Sequence, residues 1–136
     1  MERRGFVAAS CVAACGVLAG CLGGDESPSE ARIDALELEN HRRDEGYDFA
    51  VRVESEGVTV LETTRSLGPA GSGDEVVVFE EPIEGPGTYS VRVEASEHTA
   101  TVDTRDYVEP GTACLRLEFY LGETTLHTEH TAYDRC

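Results

Sequence analysis

The chain has 136 residues and a formal net charge of −16, with 28% charged residues and no tryptophan. This length allows one domain, and it excludes both a TIM barrel and a dinucleotide-binding domain joined to a substrate domain. The negative charge argues against nucleic acid as a partner, because proteins that bind nucleic acid meet its phosphates with basic patches.

The first 20 residues have the organisation of a signal peptide. Arg3 and Arg4 form a short positive start, and no charged residue occurs from Phe6 to Ala19. As a helix this uncharged segment would span about 21 Å, whereas a bilayer core is about 30 Å thick. We therefore expect residues 1–20 to be a signal peptide that is cleaved. The alternatives are a short buried helix and an uncleaved anchor.

Two motifs in this segment resemble export signals. Residues 18–21 read Leu-Ala-Gly-Cys and resemble the lipobox of secreted lipoproteins, which implies that Cys21 carries a lipid and becomes the new N-terminus. Residues 3–7 read Arg-Arg-Gly-Phe-Val and resemble the twin-arginine export signal, although Glu2 stands where that signal has Ser or Thr. The two resemblances imply a protein anchored to the cell membrane by its lipid and facing the outside.

The composition of the mature chain resembles that of proteins from salt-loving archaea. Loss of residues 1–20 removes two arginines and one glutamate, which changes the charge from −16 to −17, and all the basic residues are arginine. In dilute salt this charge opposes a compact state, whereas molar salt screens it. The same charge argues against adhesion to anionic lipid, so attachment depends on Cys21. An acidic bacterial surface lipoprotein is the alternative.

Residues 21–30 are rich in glycine, serine and acid, which predicts a flexible tether before a domain at 31–136. Apolar and polar residues alternate in Tyr47–Val53, Thr88–Val93 and Leu115–Leu121, as in half-buried strands. Runs at 58–61, 76–79, 99–104 and 124–131 predict further strands, and Ile33–Leu38 is either a first strand or a short helix. Seven or eight short strands predict an all-β fold, a single immunoglobulin-like antiparallel β-sandwich. A small open β-barrel is the alternative.

One segment carries a more specific likeness. Residues 86–93 read Pro-Gly-Thr-Tyr-Ser-Val-Arg-Val and resemble the penultimate-strand motif of many extracellular immunoglobulin-like domains. Val91 stands where antibody domains place their second core cysteine, and the chain has no tryptophan. A core built around a disulfide and a tryptophan is therefore not expected.

Cys114 and Cys136 are the cysteines that remain besides Cys21 after cleavage, and outside the membrane such a pair usually forms a disulfide. A two-residue loop at Gly122-Glu123 would place Cys114 opposite Thr131. Either the tail must then fold back or a bulge must shift the register. A bridge closing a loop of about 22 residues stabilises a fold by about 3 kcal/mol. Two free or metal-binding thiols are the alternative.

No group of side chains predicts a cofactor or a metal. The histidines are His41, His98, His127 and His130, and on a strand the last two would point to opposite faces. No histidine follows Cys114 closely and Met1 leaves with the signal, so a blue-copper site is not expected. The acidic clusters at 74–75, 80–84 and 103–106 lack the calcium-loop spacing, which favours solvated surface over a weak cation site.

The sequence also lacks the motifs of nucleophilic catalysis and of phosphate binding. There is no Gly-x-Ser-x-Gly elbow, and the glycine-rich segment 68–73 has no lysine. We therefore predict a non-enzymatic, lipid-anchored display module at the cell surface, with a surface protein as its partner. The alternatives are a solute- or metal-binding module associated with a membrane transporter, and a small hydrolase.

Overall fold

The computed structural model describes residues 30–136. Eight strands follow in chain order: β1 (Arg32–Asn40), β2 (Tyr47–Ser55), β3 (Val58–Leu67), β4 (Val76–Glu80), β5 (Ser90–Ala95), β6 (His98–Asp103), β7 (Cys114–Leu121) and β8 (Leu126–Tyr133). A short 3-10 helix, Thr104–Asp106, follows β6. Within the described residues no helix is long and apolar enough to cross a bilayer. The predictions for Arg3, Arg4 and Cys21 fall outside the described residues.

The strands form two four-stranded sheets, which confirms the predicted β-sandwich. The first sheet has the order β4-β1-β7-β8 and the second has the order β3-β2-β5-β6. The strands pair antiparallel, as predicted, except for β1 and β7, which run parallel. Between β1 and β7 the chain builds the four strands of the second sheet and also β4 of the first, and it then returns at the end of the sandwich where β1 begins. For this reason β7 enters beside β1 in the same direction.

The core lies between the two sheets and follows the predicted alternation of side chains. On β2 and β5 every second residue faces inward, as it does on β7, which is the pattern expected when one face of a sheet is buried. The largest fully buried side chains, each less than 2% exposed, are Phe49, Val51 and Val53 on β2, Val91 and Val93 on β5, Leu115, Leu117, Phe119 and Leu121 on β7, and Ile33, Leu36 and Leu38 on β1.

Residues 33–38 form a strand, which settles the alternative of a short helix. The pairing of β1 with β7 shifts between Ile33 and Ala35, so Asp34 is an extra residue in β1. Such a bulge turns the following side chains to the other face. Ile33 and Leu36 consequently both face the core, and their separation of three residues is the spacing that had also suggested a helix.

The connection between β7 and β8 differs from the predicted two-residue loop. Leu121 pairs with Leu126, and the N–H of Gly122 donates to the carbonyl of Thr125 at 2.8 Å. The loop is therefore residues 122–125, and Cys114 faces Tyr133 rather than Thr131. A shift of two residues keeps every side chain on its own face, so the apolar pattern cannot distinguish the two registers.

This register brings the C-terminal tail to Cys114. Cys114 and Cys136 form a disulfide with a Cα–Cα distance of 5.4 Å, which lies in the usual range for a bridged pair. The bridge joins the start of β7 to the end of the described chain, and Cys114 is completely buried.

The motif at residues 86–93 forms a tyrosine corner at the start of β5. The Tyr89 hydroxyl donates to the carbonyl of Gly85 at 2.9 Å, and Tyr89 lies two residues before Val91, as in immunoglobulin domains. A Cβ at Gly87 would lie 2.9 Å from Cζ and from the hydroxyl oxygen of Tyr89, so any other residue here would displace the tyrosine. Burial, and then the charge of Glu30, raise the pKa of Tyr89. Three strands follow β5 here, so the motif is not in the penultimate strand of this chain.

We predict that Tyr89→Phe lowers the free energy of unfolding by about 1 kcal/mol, because the ring stays packed while the Gly85 carbonyl loses its donor. Denaturant unfolding followed by circular dichroism measures this difference. Tyr133→Phe is the control, because Tyr133 is 41% exposed and its change should leave stability unaltered. Equal stability of the Tyr89→Phe variant and the wild type would contradict the assigned hydrogen bond.

Candidate functional site

Three loops meet at one end of the sandwich, which we call the loop end: residues 41–46, 68–75 and 122–125. They join β1 to β2, β3 to β4, and β7 to β8. Residue 30 and the disulfide-linked tail lie at the opposite end, because β1 and β7 both run toward the loop end and β8 runs away from it. The loop end is therefore the part of the described domain that lies furthest from the segment predicted to be the tether.

The buried side chain of Asn40 holds two of these loops together. Asn40 is 0% exposed. Its amide nitrogen donates to the carbonyls of Glu45 and Gly68, each at 3.0 Å, and its carbonyl oxygen accepts from the N–H of Arg42 at 2.9 Å. Because a buried polar group without partners costs free energy, these three bonds fix the paths of both loops.

Arg42 attaches the third loop. Its Nε donates to the carbonyl of Gly122 at 2.8 Å, and Nη2 donates to the carbonyl of Glu123 at 3.3 Å. Nη1 donates to the Tyr47 hydroxyl at 3.1 Å, and this hydrogen bond is the main cause of a raised pKa for Arg42. The guanidinium therefore stays charged and connects loop 41–46 to loop 122–125.

Loop 68–75 is also held from within. The carboxylate of Glu75 accepts from the N–H groups of Gly71 and Gly73 at 3.0 and 2.9 Å, and these bonds lower the pKa of Glu75. Both glycines have positive φ angles, near +93° and +95°, which side chains other than glycine rarely adopt. Within the acidic cluster at 74–75, the Glu75 carboxylate is therefore occupied by main-chain N–H groups of its own loop.

An open cleft of about 710 Å³ lies beside the loop end. Its polar wall contains Asp48 and Ser66, whose hydroxyl donates to the Asp48 carboxylate at 2.5 Å. Arg65 lies in the same wall, with its guanidinium 4.9 Å from the centre of the Phe79 ring. Among the described residues that line this cleft, Ser66 donates to a carboxylate and there is no histidine.

The outer face of the first sheet is strongly acidic. Glu37, Glu118 and Glu129 lie directly beside one another on β1, β7 and β8. Nη2 of Arg116 lies 2.5 Å from Glu37, whereas its Nε is 3.8 Å from Glu118. Like charges on directly opposite strand positions are destabilising. One arginine thus offsets only part of the repulsion along a row of three carboxylates.

The histidines of β8 point to opposite faces, as predicted for a strand. His127 stacks on Tyr120 at 4.8 Å between ring centres, and His130 stacks on Tyr107 at 3.8 Å. His41 also stacks on Tyr120, at 4.6 Å. Within residues 30–136 no group of three or more His, Cys, Asp or Glu side chains is arranged to hold a metal ion.

Neither Asn40 nor Arg42 is recognisable as a site residue from the sequence. Asn40 follows the apolar alternation of β1 as the last inward-facing position. An asparagine there has the pattern of an ordinary strand end. Its burial depends on contacts with loops 41–46 and 68–75, which local sequence patterns do not place together. Arg42 similarly lies 80 residues before its partner Gly122. The predicted site residues Cys114 and Cys136 come together at the opposite end.

Comparison with known proteins gives one family. The family model described as a halobacterial Ig-like domain matches residues 45–130. This range begins just before β2 and ends within β8. No curated protein matches the chain. A solved structure titled "Trapped Toxin" is 13% identical over 76% of this chain, which covers 23% of that structure's chain, with a TM-score of 0.23. That likeness is too low to carry any argument.

We predict that Asn40→Ala lowers the free energy of unfolding by about 2–4 kcal/mol, because two carbonyls and one N–H lose a buried partner. Hydrogen exchange should also become faster in loops 41–46 and 68–75 than in β5. Thr124→Ala, in an exposed part of the third loop, is the control and should change neither quantity. Unchanged exchange in both loops would contradict the role of Asn40.

The row of carboxylates predicts a salt-dependent effect. Glu118→Gln removes the central charge, so at low salt it should raise the free energy of unfolding by about 0.5 kcal/mol. The gain should disappear at molar salt, where screening reduces the repulsion. Glu109→Gln, on an exposed loop, removes the same charge away from the row. A gain of equal size at Glu109 would show that net charge, and not the row, causes the effect.

Proposed function

Because this chain belongs to the family of halobacterial Ig-like domains, we propose that it is a lipid-anchored display module at the outer surface of the cell. Membership of this family suggests a non-enzymatic structural module. In this proposal, Arg3 and Arg4 direct export, Cys21 carries a lipid, and a surface protein is the partner. The supporting motifs are the twin-arginine and lipobox resemblances at residues 3–7 and 18–21.

The placement of the loop end is the observation that best supports display. The described domain begins at the end opposite the loop end, so a tether at residues 21–30 would hold the domain with its three braced loops outward. Asn40 and Arg42 hold these loops by side-chain hydrogen bonds to main-chain atoms. Loops that are already ordered lose less conformational entropy when a partner binds.

The charge of the domain is consistent with a salty exterior. Residues 30–136 contain 24 carboxylates and nine arginines. The ion pairs of Arg52 and Arg92, at 3.2–3.7 Å, lie on the exposed face of the second sheet. Exposed pairs of this kind contribute little to stability. The domain therefore depends on its core and on external salt, rather than on surface ion pairs, to remain compact.

Replacement of Cys21 tests the proposed anchor. We expect the intact mass of the Cys21→Ser variant to lack the mass of the lipid, because the residue that would carry the lipid has been replaced. Cys15→Ser is the matched control, since Cys15 lies within the predicted signal and would leave with it. Mass spectrometry of detergent-extracted protein measures both. A lipid-free wild-type chain that retains residues 1–20 would overturn the proposal.

A further inference from the structure

The strand β8 is an open edge of the first sheet. Seven of its eight residues are exposed, and only Leu126 is buried. Its pairing with β7 runs from Leu121 and Leu126 to Cys114 and Tyr133 without a register shift. The strand thus presents a regular, extended edge to solvent.

The free backbone groups of this edge can be identified from the loop. The N–H of Gly122 donates to the carbonyl of Thr125, and hydrogen-bonded pairs alternate along an antiparallel ladder. Every second residue of β8, beginning with His127, therefore bonds to β7. The other four direct their N–H and C=O groups away from β7: Leu126, Thr128, His130 and Ala132. Among the described residues, none of these four has a backbone hydrogen bond outside its own sheet.

The three other sheet edges are each interrupted or short. β4 has five residues and ends at Glu81, which has a positive φ, and Pro82. The pairing of β3 with β2 is shifted near Val60, and β6 ends after six residues at the 3-10 helix. Bulges, prolines and short strands are the usual protections of an edge against pairing. β8 contains no proline, no lysine and no bulge.

We propose that β8 pairs antiparallel with β8 of a second copy of this chain, around a two-fold axis at Thr128. Two-fold symmetry brings identical residues, with identical outward groups, to the shared edge. An antiparallel ladder accepts this arrangement, because facing residues exchange both hydrogen bonds. In a parallel ladder, a residue that bonds to the neighbouring strand lies opposite a residue whose N–H and C=O groups point away from it. In a symmetric parallel pair identical residues would lie opposite each other, so these backbone hydrogen bonds could not form.

The charges on β8 select the register. An axis at Glu129 would place Glu129 opposite Glu129 of the second copy, and like charges directly opposite are destabilising. An axis at Thr128 instead places each Glu129 opposite His127 of the other copy, on the outer face of the combined sheet. An axis at His130 places Glu129 opposite Thr131 and gives no such pair. The Thr128 register thus combines six backbone hydrogen bonds with two histidine–glutamate pairs, as follows from the strand's alternation.

Antiparallel pairing has a consequence that rests on the proposed function. It places the loop end of one domain beside the tether end of the other, so the two tethers leave in opposite directions. Two copies anchored on membranes that face each other would have their tethers in this arrangement. Since both domains are acidic, the pairing is expected in molar salt, where the Debye length is about 3 Å.

Cysteine trapping tests the register. Facing residues of a hydrogen-bonded antiparallel pair have Cα atoms about 5.5 Å apart, within disulfide range. Detergent-extracted full protein carrying Thr128→Cys should therefore form a reducible dimer in molar salt with oxidised glutathione. Thr131→Cys is the control, because in this register its two copies are about 20 Å apart. No dimer for Thr128→Cys, or equal dimer for both variants, would overturn the proposal.

A proline variant tests the pairing without an added thiol. Thr128→Pro removes an N–H that points away from β7, so the fold is expected to tolerate it. Sedimentation in density-matched detergent should show dimer for the wild type and for Thr128→Ala, and monomer for Thr128→Pro with an unchanged circular dichroism spectrum. Monomer throughout would refute pairing, yet a lipid on Cys21 in the same samples would leave the proposed anchor intact.

Discussion

The side-chain amide of Asn40 is the contact on which the geometry of the loop end depends. It lies at the last inward position of β1, where the sheet ends and two loops leave. Three hydrogen bonds satisfy it, and each reaches the main chain of a loop. Without this amide, the carbonyls of Glu45 and Gly68 would be left without these donors. The loops would then have to open to water, and loop 122–125, held through Arg42, would be affected in turn.

A second constraint lies at the opposite end of the sandwich. There the tyrosine corner at Tyr89 and the disulfide between Cys114 and Cys136 fix the segments that enter β5 and β7. The Tyr89 N–H donates to the hydroxyl of the buried Thr104 at 2.9 Å, which ties the corner to the 3-10 helix. The two ends are therefore held by different means. At the loop end, the Asn40 amide and the Arg42 guanidinium hold loops. At the opposite end, the Tyr89 hydroxyl and a disulfide hold the segments that enter strands.

The fold could be predicted from the sequence because its strands have simple alternation. Tyr47–Val53 and Leu115–Leu121 show a period of two, and both are strands with one buried face. The bulge at Asp34 broke this period and left β1 ambiguous. The predicted register of β8 was wrong by two residues, because a shift of two leaves every side chain on the same face of the sheet. The parallel pair of β1 and β7 depends on the path of the whole chain, which local patterns do not contain.

The loop end was not predictable for a related reason. Its contacts join residues that are far apart in the chain, such as Arg42 with Gly122 and Asn40 with Gly68. In the sequence, Asn40 is an ordinary residue for a strand end and Arg42 is an ordinary residue for a loop. Cysteine pairing was easier to predict, because Cys114 and Cys136 are the two cysteines that lie outside the predicted signal peptide and lipobox, and such a pair in an exported protein usually forms a disulfide.

The absence of lysine from the sequence allows a direct test of outward display. Thr124→Lys would place a single side-chain amine on the exposed loop 122–125, and the wild-type chain would serve as the blank. We predict that a membrane-impermeant amine reagent labels this lysine on intact cells as fully as after lysis. Labelling that appears only after lysis would contradict a loop end displayed at the cell surface.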